Sequence, residues 1–107
     1  MELKKKHCKP CEDGAEPLGT SEANKLLGEV ENWNLVGDTR LEKTFVFKNF
    51  KEALDFVNKV GAIAEAEGHH PNITLFDYKK VKIELYTHSI GGLSENDFIL
   101  AARINTI

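Results

Sequence analysis

Between Asn49 and Gly68 the chain carries what an amphipathic helix needs and little that a strand could use. Asn49 with Glu52 three residues later has the form of a capping box, in which side chains satisfy amides at the helix start. Phe50, Leu54, Val57, Gly61 and Ala64 then fall on one stripe at helical spacing. Gly68 supplies the residue that most readily takes the left-handed turn at which helices end. A long central helix is therefore predicted, and its apolar stripe demands a surface to cover.

The flanking segments offer that surface. On the N-terminal side Trp33 and Leu35 alternate with Asn32 and Asn34, Gly37-Asp38 signals a turn, and Leu41, Phe45 and Phe47 alternate with Glu42, Thr44 and Lys48. On the C-terminal side Ile73 and Leu75, then Val81, Ile83 and Leu85, alternate with polar positions around Asp77-Tyr78-Lys79. Two β-hairpins follow. Before them Ala23, Leu26, Leu27 and Val30 repeat at helical spacing, with Thr20 or Ser21 available as the N-cap. After them Ser94 and Asp97 look like the cap of a last helix from Glu95 to about Asn105. The order α-β-β-α-β-β-α implies an α+β fold, a four-stranded antiparallel sheet with three helices on one face.

Residues 1–19 hold two of the three prolines and no apolar period, which predicts a mobile or loosely docked arm. Residues 20–107 then form a single domain. A chain of 107 residues buries only a modest share of its surface, so association would help it. Phe98, Ile99, Leu100, Ala101 and Ala102 make the last helix apolar nearly all round, so part of it is expected to pack on another subunit.

A net charge of −3, with Lys4-Lys5-Lys6 the one dense basic run, argues against a direct nucleic-acid partner. No stretch approaches the ~20 apolar residues needed to cross a bilayer. The polar N-terminus lacks a signal-peptide core, so a cytoplasmic protein is expected.

Three of the four histidines lie between His69 and His88. Histidine titrates nearest neutrality, so such a cluster suggests proton transfer. Each residue also has a plainer reading. His69 and His70 could cap a helix C-terminus, where the dipole favours positive charge, although Pro71 forces His70 into an extended conformation that lets both reach a pocket. His88, on the parity of Lys82, Glu84 and Tyr86, should leave the helix-covered core and could be an ordinary strand-end histidine. Asp97 is fully explained as a cap. Glu65 sits one turn before His69, as a surface pair or as a carboxylate that orients the imidazole. Trp33, the single tryptophan, reads first as a core anchor. His7, Cys8 and Cys11 form a His-Cys-x-x-Cys cluster that could bind metal or cycle as a redox pair, but a structural zinc wants four ligands. A metal held by His69, His70 and His88 is also conceivable.

The spacing is more specific than any one residue. Glu65 precedes His69 by four residues, Pro71 follows the pair, Tyr78 comes seven after the proline, His88 ten after Tyr78, and Asp97 nine after His88. Together with Asn32-Trp33, Phe45-Val46-Phe47-Lys48-Asn49-Phe50, Thr87-His88 and Gly92-Leu93-Ser94-Glu95-Asn96-Asp97, this resembles the pterin-4a-carbinolamine dehydratases over roughly residues 18 to 105. Two positions depart: some members carry an acid in place of Gly68 and an arginine in place of Asn96.

The resemblance implies the same α+β fold, assembled as homodimers or homotetramers. It implies a metal-free, cofactor-free hydro-lyase that dehydrates a 4a-hydroxytetrahydropterin, such as 4a-hydroxytetrahydrobiopterin, to the quinonoid dihydropterin. His69 and His88 would be the acid/base pair and His70 would bind and orient the pterin. Glu65 would support His69, Trp33 would wall the pocket, and Pro71, Thr87 and Asp97 would complete the site. It also implies a place beside an aromatic amino acid hydroxylase, whose cofactor the reaction regenerates. The alternative is a non-enzymatic dimerisation partner or coactivator, a role some members have.

Overall fold

Both hairpins form, and they meet through their second strands. The computed structural model describes residues 3–6, 8, 17–37 and 39–107. Strands β1 (Asn34–Val36), β2 (Arg40–Val46), β3 (Asn72–Phe76) and β4 (Lys80–Leu85) make one antiparallel sheet in the order β1-β2-β4-β3. Helices α1 (Thr20–Leu27), α2 (Phe50–Glu67) and α3 (Glu95–Ile104) complete the order α-β-β-α-β-β-α.

Register shows why one sheet face is covered. Leu41 lies opposite Leu85, Phe45 opposite Val81, and Ile73 and Leu75 flank Ile83 and Val81. All these side chains share one pleat face, and Leu41, Val81, Ile83 and Leu85 are fully buried against residues of the helices. The intervening positions carry charge: Arg40 pairs with Glu84 at 3.3 Å and Lys82 with Glu42 at 3.6 Å. The second hairpin turns through Asp77 and Tyr78, both with positive φ, in the sense that matches strand twist.

Helix α2 starts as its cap signature requires, with Asn49 Oδ1 accepting the Glu52 amide at 2.9 Å. Its buried face differs from the expected stripe. Ala53, Phe56, Val60 and Ala64 are buried, while Phe50 and Leu54 are 50% and 42% exposed. The helix is apolar over two adjoining stripes, and the sheet takes the one whose small Ala53 and Ala64 allow close approach around Phe56 and Val60. Helix α1 starts from Gly19 with no side-chain cap, so neither Thr20 nor Ser21 serves as its N-cap.

The last helix corrects a second expectation. Phe98, Ile99, Leu100 and Ala101 are buried within a single chain, in one cluster with the sheet residues Leu41, Val81, Ile83 and Leu85. Helix α2 packs on one side of α3, and a 3-10 turn at Leu3–Lys5 packs on another. The apolar girth of α3 is thus covered by its own chain and asks for no second subunit. Leu3, in the segment read as an arm, is itself part of the core at 3% exposure.

Candidate active site

The chain leaves α2 through Gly68, whose φ of 65° is the left-handed conformation of a helix C-terminus. The His69 amide donates back to Ala64 O at 3.2 Å, which closes the turn. Pro71 and strand β3 then lead away, so consecutive histidines point to different surroundings. The His69 side chain is 12% exposed and that of His70 62%.

His69 Nε2 lies 2.6 Å from Asp97 Oδ1, and Asp97 is completely buried. A carboxylate oxygen accepts, so this contact is a hydrogen bond when His69 Nε2 carries the hydrogen. Asp97 Oδ2 accepts from the Ser94 amide at 3.0 Å and from Thr87 Oγ1 at 2.9 Å. The Ser94 hydroxyl lies 2.9 Å from Thr87 Oγ1 and completes this network. One side chain therefore caps α3 and orients an imidazole.

Thr87 extends the network to the third histidine. Its amide donates to Gly92 O at 2.8 Å, closing a loop that contains the 3-10 turn His88–Ile90. His88 is exposed at the start of that turn, its ring centroid 4.2 Å from that of Tyr86. His69, His70 and His88 line one open cleft of about 680 Å³, together with Pro71 and Thr87. Asp97 is not on its surface but stands behind His69.

Two expected roles change. Glu65 pairs with His70, Oε1 to Nε2 at 2.6 Å, and not with His69, because the turn at Gly68 takes the chain off the spacing that aligns residues four apart. Trp33 is a buried core residue whose Nε1 donates to Asn105 Oδ1 at 3.0 Å, and it does not line the histidine cleft. Tyr78 sits exposed at the β3–β4 turn, outside the cleft as well. Tyr86 and Glu67 line the cleft without having been singled out from sequence, and Gly68 and Asn96, the two positions that depart from the family pattern, line it as well. Of Tyr86 and Glu67, Tyr86 had a usable signal, its position two residues from His88 on the same strand parity.

A second cavity of about 410 Å³ lies between β2, α2 and the end of the chain, and it contains no histidine. Lys43 reaches into it from the core face of β2. Its ammonium donates to Asn105 Oδ1 at 2.8 Å and to Glu31 O at 3.3 Å, and lies 4.7 Å from the Phe45 ring centroid. Burial pushes the Lys43 amine below its ordinary range, and the charge of Glu31 partly offsets this. Among the described residues no group of three His, Cys, Asp or Glu side chains is arranged to hold a metal. His7 and Cys11, the other members of the His-Cys-x-x-Cys cluster, lie outside the described residues.

Known proteins resemble this chain in sequence and in fold. The family profile described as Pterin 4 alpha carbinolamine dehydratase matches residues 16–107. A protein of Alkaliphilus metalliredigens, named as a pterin-4-alpha-carbinolamine dehydratase, is 47% identical over 104 residues, covering 96% of this chain and 93% of its own. One of Methylococcus capsulatus with the same name is 49% identical over 106 residues, covering 98% and 92%. Among solved structures, a transcriptional coactivator/pterin dehydratase from Brucella melitensis superposes with a TM-score of 0.79 at 33% identity, covering 85% of this chain and 97% of that one. A pterin dehydratase-like protein, identified as a RuBisCO assembly factor in the alpha-carboxysome, gives 0.60 at 28% identity, covering 71% and 88%.

Proposed function

We propose, from the premise that this chain belongs to the pterin 4 alpha carbinolamine dehydratase family, that its histidine cleft removes water from a 4a-hydroxytetrahydropterin and releases the quinonoid dihydropterin. The observation that carries the reading is the convergence of His69, His70 and His88 on one cleft, with a buried carboxylate behind the first.

The substrate is a carbinolamine, with a hydroxyl on C4a beside the N5–H. A charged imidazole donates a proton to the hydroxyl, the N5 electron pair forms the C4a=N5 bond as water departs, and a neutral imidazole takes the N5 proton. The two histidines exchange protonation states, and the net change is loss of one water. We assign these roles to His69 and His88, with His70 binding and orienting the pterin. Asp97 holds and orients the His69 ring by its hydrogen bond, Glu65 orients His70, and Thr87 ties the His88 loop to Asp97. Positioned proton transfer contributes roughly 10²- to 10⁴-fold, enough for a substrate that already dehydrates slowly unaided.

The same reading places the protein in regeneration of a tetrahydropterin for an aromatic amino acid hydroxylase, as a cytoplasmic homo-oligomer. No helix among the described residues is long and apolar enough to cross a membrane. An absorbance assay of carbinolamine decay tests the activity: the purified protein is expected to accelerate the decay, and an unchanged decay rate refutes the proposal. A coactivator or assembly role is the second reading, favoured by the names of the two similar structures and by exposed Phe50 and Leu54 on α2.

A further inference from the structure

Lys6 and Cys8 are tied down by side chains of both helices that frame the histidine cleft. Leu3, ahead of them, is buried in the main core. Arg103 of α3 then donates from Nε and Nη2 to the Lys6 carbonyl at 3.0 and 2.6 Å, and the Lys6 ammonium meets Glu95 at 2.9 Å. A forked guanidinium on one carbonyl fixes direction as well as distance. The Cys8 amide donates to Glu67 Oε1 at 2.7 Å, and the Cys8 sulfur lies 3.7 Å from Asn96 O. Cys8, Glu67 and Asn96 line the same cleft as the three histidines. Lys6 and Cys8 precede residues 16–107, which the family profile matches.

We infer that Cys8 is a wall of the pterin cleft, held through Lys6 by Arg103 and directly by Glu67 as positioning residues, and that it governs how tightly substrate binds rather than how fast it turns over. The inference rests on the dehydratase reading of the cleft. The Arg103 anchor sits in the last turn of α3 and Asp97 in its first, so loosening that anchor opens one side of the cleft and leaves the acid/base geometry in place. A group that contacts substrate equally in the ground and transition states moves KM and spares kcat. A segment that served stability alone would move melting temperature and neither constant.

The test measures initial rates of carbinolamine dehydration on the full chain and three variants, each checked for folding by circular dichroism. Arg103→Met is expected to raise KM about 3- to 10-fold with kcat within about twofold of the parent, and Arg103→Lys to recover part of the loss. Cys8→Phe adds bulk to the wall, keeps the main-chain ties to Arg103 and Glu67, and is expected to raise KM as well. If Arg103→Met fails to fold, Cys8→Phe decides. Parental KM in the folded variants, or lowered kcat at parental KM, overturns the wall while leaving the dehydratase reading intact. An inactive parent protein overturns both.

Discussion

His69 and Asp97 stand 28 residues apart in the chain and 2.6 Å apart in the fold, Nε2 to Oδ1, with the carboxylate sealed from water and the imidazole at its edge. The same carboxylate holds the first turn of α3 through the Ser94 amide. Helix initiation and proton chemistry therefore depend on one side chain, and a change there is felt in both.

Asp97→Asn separates the two effects by size. An amide still accepts at the helix start, but its NH2 group cannot accept the hydrogen on His69 Nε2, so the ring loses the bond that orients it. The rate is expected to fall roughly 10- to 100-fold, short of the full loss of a positioned acid or base. Weakening the cap costs about 1 kcal/mol, which corresponds to a fall in Tm of roughly 4–8 °C at this chain length. Steady-state rates and thermal melts of the purified variant check both numbers.

The acid/base assignment is checked by combining substitutions. A carbinolamine can present its hydroxyl on either ring face, so two histidines can partly stand in for each other. His69→Ala and His88→Ala are each expected to lower the rate moderately, and the double variant further, up to the ~10²- to 10⁴-fold of a lost proton donor. His70→Ala should weaken binding and rate together. A folded double variant with parental activity would refute the mechanism.

Lys43 gives a pH signature away from the cleft. Its folded pKa lies below its unfolded one, so the unfolded chain binds more protons between the two, and stability rises with pH through that window. The desolvation cost is present below the window and relieved above it. Relative to the parent, Lys43→Met is expected to show its best Tm near neutrality and to lose ground as pH rises through the lowered pKa. A parent-minus-variant difference that stays flat with pH would show that the amine is not desolvated. NMR titration of the Lys43 side chain reads the midpoint directly.

Association is expected through α2 rather than α3, since Phe50 and Leu54 are left exposed while α3 is covered. Light scattering at micromolar concentration should give a mass above the 12.0 kDa of one chain. Replacing Phe50 and Leu54 together by lysine should shift it toward one chain, and a parent that is already monomeric would rule the interface out.

Local rules carried the sheet and the caps of α2 and α3. Val81, Ile83 and Leu85 alternate because one face is buried, and Asn49 and Ser94 start helices because their neighbours' amides need acceptors, so both are visible in short windows of sequence. The buried face of α2 was not visible, since the rotation of a helix with two apolar stripes is set by what it packs on. Nor was the His69–Asp97 contact, which joins residues no local spacing connects. Glu65 meets His70 and not His69, because helical spacing does not run past Gly68, which ends the helix. The three histidines lie close together in sequence, which suggests a shared role, and the fold brings His88 onto one cleft with the other two.

The left-handed turn at Gly68 has a further consequence. His69 and His70 are the same amino acid, side by side, yet one is held by a buried aspartate and the other by an exposed glutamate. Nothing in their own chemistry distinguishes them. Their identities are assigned by address, and the backbone at Gly68 writes the address. A Cβ at that position would meet no atom within 4 Å, so the damage from Gly68→Ala would come from conformation alone. A lesion in a residue with no functional group would then read, in an activity screen, like the loss of a histidine.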